Sequence, residues 1–297
     1  MKRCTSNPRT SLAKWIADPE NPLTARVMVN RIWQYHFGRG IVATPNDFGR
    51  MGERPTHPEL LDYLANEFVA SGYSVKHIHR LILSSNTYRQ SSAVPEKSAG
   101  LENDPDNKLL WRFNRRRLDA EEIRDAMLAV AGNLNLEAGG PSLMVPIEKE
   151  LVNALYKPSQ WQVAPDPAQH HRRSVYLIAK RNLRLPFLEV FDAPDELVSC
   201  PRRESSTHAP QALELLNGGF SNQQAKVLAA RLAAEGRSYR KQIELAYRMA
   251  TGRAPTGREL QLALDFLAKE TRRAGAEKAR DEFALALFNL NAFLYVN

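Results

Sequence analysis

NPLTARVMVNR, Asn21 to Arg31, opens the stretch to Gln90 whose reading decides the fold. Asn21 carries the side-chain acceptor an N-cap needs, and Pro22 stands at a first helical position, where its missing amide costs nothing. Leu23, Val27, Met28, Ile32 and Tyr35 recur at helical spacing until Gly38 ends the run. The loop from Gly38 to Thr56 holds four glycines and two prolines. Thr56-His57-Pro58-Glu59 then predicts a capping box ahead of Leu60, Leu61, Leu64 and Phe68. Gly72 stops that helix, and Ser74 caps a third with Val75, Ile78, Leu81 and Ile82 on its inner face. The stretch reads as three helices joined by arginine- and proline-rich loops.

Outward from there, helical signals dominate. Thr10 is placed to cap a short helix whose Leu12, Trp15 and Ile16 share an apolar face. Asp119 and Glu122 form a capping box, with Leu118 and Ile123 as its hydrophobic staple. From Gly139 to Pro167 there are five prolines and no sustained period. Ser174 to Ile178 predicts a strand, partnered in a small hairpin or ribbon. Helices return after Cys200, with Pro210 in a first turn, a Thr256/Glu259 capping box, and a last helix over about 277–291. The expected fold is mainly α, a multi-helix domain with a small β-hairpin or ribbon in the middle. Its parts are a tail and short helix (1–20), an N-terminal helical half (21–136), an irregular middle (137–201) and a C-terminal helical half (202–297), in one compact domain.

The chain has 297 residues, 43% of them hydrophobic, enough for a sizeable core. No run reaches the roughly 18 apolar residues of a membrane helix, and no apolar segment follows the basic N-terminus to make a secretory signal. Net charge is +8, with 29 arginines against 12 lysines. Guanidinium groups bind carboxylates, phosphates and sulfates in a bidentate manner. The basic residues are spread along the chain without interleaved aromatics or a reader motif, which speaks against nucleic acid. Cys4 and Cys200 are the only thiols. No Cys-x-x-Cys or Cys-x-x-Cys-His occurs, so no zinc ribbon and no haem-attachment motif is present, and no cofactor is expected in this chain.

Several motifs together resemble a known family. They are Asn21 to Arg31, Phe37 to Val42 (FGRGIV), Asp47-Phe48-Gly49, His57 to Asp62, His79-Arg80 and Tyr88 to Ser91. Arg116-Arg117-Leu118, Glu121 to Asp125, Gly139 to Ser142, Ser174-Val175-Tyr176, Phe191-Asp192, Cys200, Arg203 and Ala209 to Ala212 extend the match in order. The chain resembles planctomycete-specific domain one, a domain of unknown function, over nearly its whole length. Tyr73 departs from the tryptophan more usual there. The resemblance implies an exported, periplasmic or cell-envelope setting. It also implies a domain that closes a longer protein carrying an export signal, often a cytochrome c-type domain, and a second uncharacterised domain. None of those parts is in this sequence, which is expected to be an isolated C-terminal domain or a split-off reading frame. Upstream domains of the parent protein are the partners it implies. The family carries no accepted catalytic residues, so none is transferred.

Candidate chemistry is therefore read from the residues. His77 and His79 point about 200° apart on a helix and cannot easily share a metal; His79 reads as a half-buried, hydrogen-bonded histidine. His170-His171 lacks identifiable co-ligands, so no metal site is expected. Glu121 and Asp125 could share a helix face, although a charged helix start accounts for them better. Ser205 to His208 sits where hydroxyls cap a helix, and Gly38-Arg39-Gly40 lacks the lysine of a phosphate loop. The leading constellation is arginine: Arg31, Arg80, Arg89, Arg117, Arg181 and Arg203. If they converge, they form a pocket for an anionic ligand. If not, arginines pair with acids, and Asp47, Asp119, Glu122, Asp125 and Asp192 are the ion-pair or cap candidates. Two functions are expected: a non-catalytic interaction or ligand-binding domain, and, as the family resemblance alone implies, an enzyme module acting on complex or sulfated carbohydrates.

Overall fold

The computed structural model describes residues 7–94, 98–181, 183–195 and 197–296; Cys4 lies outside them. These residues form two compact units that meet in sequence at Arg116 and Arg117. That boundary falls inside the span which sequence pattern assigned to one N-terminal half.

The first unit contains α1 (Pro8–Ile16), α2 (Thr24–Phe37), α3 (Pro58–Ala70), α4 (Val75–Ser84) and α5 (Ala99–Asn103). Asn7, not Thr10, caps α1, and Leu12, Trp15 and Ile16 are all exposed. Asn21 Oδ1 accepts from the amides of Leu23 and Thr24, so it caps a turn that runs into α2. The buried face of α2 is Ala25, Val29, Ile32, Trp33 and Phe37, while Met28 and Tyr35 face out. The apolar stripe is rotated from the predicted one because Trp33 and Phe37 stack at 4.2 Å and join Tyr88 and Phe113 in an aromatic cluster.

The capping box expected at Thr56 does not form. The Thr56 amide and hydroxyl both turn to Ile41 O, docking the loop and leaving His57 as the cap residue of α3. Ser74 caps α4 as predicted. The loop after α2 closes on Asn30, whose amide bonds both Val42 O and Val42 N (3.0 and 2.8 Å) as a strand would. A Cβ on Gly40 would lie 2.7 Å from the Asn30 amide, so only glycine lets the loop approach this closely.

The second unit begins within β1 (Arg116–Arg117) and then holds α6 (Ala120–Ala131), α7 (Lys149–Asn153), α8 (Pro186–Val190), α9 (Ala209–Asn217) and α10 (Gly219–Glu235). After these come α11 (Tyr239–Thr251), α12 (Gly257–Ala274), α13 (Ala276–Phe288), α14 (Asn291–Leu294) and β2 (Tyr295–Val296). The protein is mainly α, and β1 and β2 form a sheet of two-residue strands. The strand predicted over 174–178 is instead a 3-10 turn at Ser174–Tyr176 with a single bridge from Leu177 to Leu143. Asp125 fixes the Ser174 amide and hydroxyl, which bends the segment before a ladder can extend.

The core of this unit is Ile123, Met127, Leu228, Leu232, Ile243, Leu267, Phe283 and Leu287. Alanines at 225, 229, 279 and 284 are buried where α10 and α13 pack. Both predicted capping boxes, Asp119/Glu122 and Thr256/Glu259, are present. Among the described residues, no helix is long and apolar enough to cross a membrane.

Candidate functional site

Arg124 organises the site. Its place in the middle of α6 aims it inward, and its guanidinium donates to His170 O (2.6 Å), Arg172 O (3.0 Å) and Ser174 Oγ (3.2 Å). Burial lowers its pKa to about 10 against the opposing pull of Asp125. One helical residue thus holds the backbone of the 170–174 turn. Arg172 continues the work: it is buried, bonds the carbonyls of Glu137 and Gly139, and lies 3.9 Å over the Tyr176 ring.

Beyond Arg124 a cleft of about 340 Å³ opens within the second unit. Val145, Ile147, Leu185 and Leu188 make it apolar, and Phe187 and Phe220 meet edge to face at 5.4 Å in its wall. Arg124 also lies 5.4 Å from the Phe220 ring. Besides Arg124, the polar lining is Glu148, His170, His171, Glu214, Gln223 and Gln224. Glu214 comes from the last turns of α9 and folds over Gly218. A Cβ there would sit 2.2 Å from Glu214 Oε1 and 2.4 Å from Glu214 O, so the α9–α10 corner requires glycine. α10 then starts at once, with no side-chain cap.

The electrostatics are unlike those of the chain as a whole. Burial, and then the charge of Glu148, push the Glu214 carboxyl above its ordinary pKa. Burial, Arg124 and His170 push His171 below the usual imidazole value and favour its neutral form. His170 Nε2 lies 2.7 Å from Ala164 O. Gln224 is fully buried, and neither its Oε1 nor its Nε2 has a hydrogen-bond partner among the described residues. A buried amide without partners costs about 1–3 kcal/mol per orphaned group. No three His, Cys, Asp or Glu side chains among the described residues are placed to share a metal.

The six arginines proposed from sequence do not line this cleft. Arg31 bonds Asn46 (2.8 Å), Arg89 bonds Asn86 (2.9 Å), and Arg80 is an exposed α4 residue whose carbonyl accepts from Ser84. In the second unit Arg181 is exposed. Arg117 donates to Asp192 (2.7 Å), Phe191 O and Ser206 O, and Arg203 makes a bidentate pair with Glu121. Asp192 also accepts the Ser206 amide and hydroxyl, so this hydroxyl binds Asp192 and does not cap α9, whose N-cap is His208. Asp47 accepts the Gly49 amide in its own turn, Asp119 and Glu122 serve the α6 cap, and Asp125 holds Ser174. His79 Nδ1 lies 2.7 Å from His36 Nε2, and His77 pairs with Glu67. Cys200 is an exposed thiol.

Sequence reasoning passed over Glu148, Phe187, Glu214, Phe220 and Gln224. One signal was available: Gln224 stands four residues before Leu228 and eight before Leu232, on the apolar face of α10. A glutamine in that register is a buried amide.

A family model described as PSD1, protein of unknown function (DUF1553), matches residues 8–267. No curated protein matches, and neither does any solved structure.

Proposed function

The chain belongs to the PSD1 family of unknown function, and from that premise we propose a non-catalytic, ligand-binding domain whose second unit takes a small molecule or side chain in the cleft beside Arg124. The observation that carries this is Gln224, a fully buried amide with both polar atoms unpaired in the wall of a 340 Å³ cleft. Folding leaves such a group unsatisfied only at a cost, and a bound molecule removes that cost. Clefts of this size with an apolar wall and a few convergent polar groups are the usual form of small-molecule sites. The parent setting is a cell-envelope protein in which this domain stands beside cytochrome c-type and other domains; that part rests on the family resemblance.

Catalysis is the second reading, and Glu214 favours it, because a carboxyl pushed above its ordinary pKa by burial and a neighbouring carboxylate suits acid–base work. Among the described residues, however, no hydrogen bond joins Glu148, Glu214 or His171 to another side chain, so no nucleophile–base or base–orienter pair is assembled here. Binding is the better supported function. The test is a panel of amines, polyols, carboxylates and amides followed by NMR on the Gln224 side-chain amide, assigned by its loss in Gln224→Leu. A shift of that resonance by a panel member supports the cleft; an unmoved resonance across the panel removes the proposal.

A further inference from the structure

We propose that the group recognised in this cleft is a primary ammonium on an apolar stem, held by Glu214, Glu148 and the Oε1 of Gln224. This rests on the cleft being a binding site, as argued above, and adds the chemical class of what it binds.

Among the described residues Arg124 is the one guanidinium in the lining, and its hydrogen bonds are committed: its nitrogens bond two carbonyls and a hydroxyl, and Asp125 Oδ1 stands 3.6 Å away. His170 is turned to Ala164 O and His171 is held neutral. What remains are two carboxylates with no ion-pair partner among the described residues. In a chain of net charge +8, two carboxylates against Arg124 give this lining a negative formal charge. An anion would meet two carboxylates there and no available guanidinium.

Acceptors outnumber donors among the described residues of the lining: the carboxylates of Glu148 and Glu214 and the Oε1 atoms of Gln223 and Gln224 accept, against the two glutamine amide nitrogens and one ring N–H of neutral His171. An ammonium has three N–H donors and no acceptor, which matches three acceptors in one hollow. A polyol needs donors and acceptors in similar number. The walls decide the rest: Val145, Ile147, Leu185, Phe187 and Leu188 suit a methylene stem. A free alkylamine and a lysine side chain on a partner polypeptide present the same chemistry.

The experiment uses the full chain and isothermal calorimetry at pH 7.5 with pentylammonium, pentan-1-ol and pentanoate. A second arm compares acetyl-Gly-Lys-Gly-amide with the same peptide acetylated on the lysine. Pentylammonium is expected to bind in the about millimolar range that so small a probe permits, and the other two are not. Tighter binding of the lysine peptide, abolished by its acetylation, identifies a polypeptide source; pentylammonium alone identifies a free amine. Glu214→Gln keeps the shape and is expected to fold, as its melting curve will show, and to weaken pentylammonium at least about tenfold, a lost charge-assisted bond. Equal binding of pentan-1-ol, or an unchanged affinity in Glu214→Gln, overturns the ammonium and leaves the cleft as a site for another class. Silence from every probe overturns the ammonium, and a silent Gln224 panel would then remove the site as well.

Discussion

Replacing Gln224 with leucine should make the protein more stable. The amide is fully buried and both of its polar atoms lack partners among the described residues, so the native state carries an orphaned donor and acceptor. Mutational data place the cost of such groups at about 1–3 kcal/mol. Leucine removes it and adds apolar contact with a helix face already lined by Ala225 and Leu228. Its branched shape returns up to about 1.5 kcal/mol in misfit. Two such groups less the misfit leave a net gain of at least about 0.5 kcal/mol, a rise in Tm of roughly 1 °C or more for a unit of this size. Differential scanning calorimetry of wild type and variant reads this directly. Gln242→Leu is the control: Gln242 is also buried and its Oε1 is likewise unpaired, but its Nε2 donates to Gly236 O at 2.9 Å, so gain and loss offset and the variant should melt within about 1 kcal/mol of wild type. If Gln224→Leu melts at or below wild type while Gln242→Leu behaves as stated, the Gln224 amide is satisfied by other means. An orphaned amide would then no longer point to a ligand in the cleft.

Asn30→Ala should destabilise the first unit by about 2–3 kcal/mol, since it orphans the Val42 amide and carbonyl that Asn30 bonds; urea titration followed by tryptophan fluorescence measures it. Asp192→Ala removes the carboxylate to which the buried Arg117 donates at 2.7 Å and should cost about 3–5 kcal/mol, read by the same titration. Burial raises the Asp192 carboxyl, but the bonds from Ser206 and Arg117 outweigh burial and hold it below its ordinary 3.8. The unfolded chain takes up that proton first, so this stability is in place above pH 3.8, fades as pH falls through the lowered native value, and should be missing from the acid limb of Asp192→Ala. Burial, then His79 and Arg116, lower His36. Stability from neutral His36 is therefore whole above pH 6.5 and declines as pH drops through the lower native value, which His36→Phe should flatten in a pH series of melts.

How much of this was legible in the sequence depends on whether a residue's partner was near in the chain. Ser74, Asp119 with Glu122, and Thr256 with Glu259 bond amides within three residues, and each forms as read. The Thr56 box failed because a distant acceptor, Ile41 O, takes the amide that Glu59 would have bonded, while the hydroxyl lies 2.9 Å from His57 Nδ1. The strand at Ser174 failed in the same way: β-branched and aromatic residues favour extension, but Asp125, forty-nine positions earlier, captures the segment at its first residue.

The arginine question divides along the same line. Composition announces many guanidinium groups and cannot say which face backbone carbonyls. Arg124 and Arg172 hold loops chiefly through carbonyl oxygens. Since every residue supplies a carbonyl, no acid in the sequence marks those partners. The cleft was hidden for a related reason. Glu148, Glu214 and Gln224 come from the end of an irregular segment, one helix and the start of the next, and they meet only because Gly218 lets α9 turn directly into α10. Side chains that lack partners inside the protein leave no pairing pattern in the sequence. A site built from such groups is found only when the fold shows what each of them fails to touch.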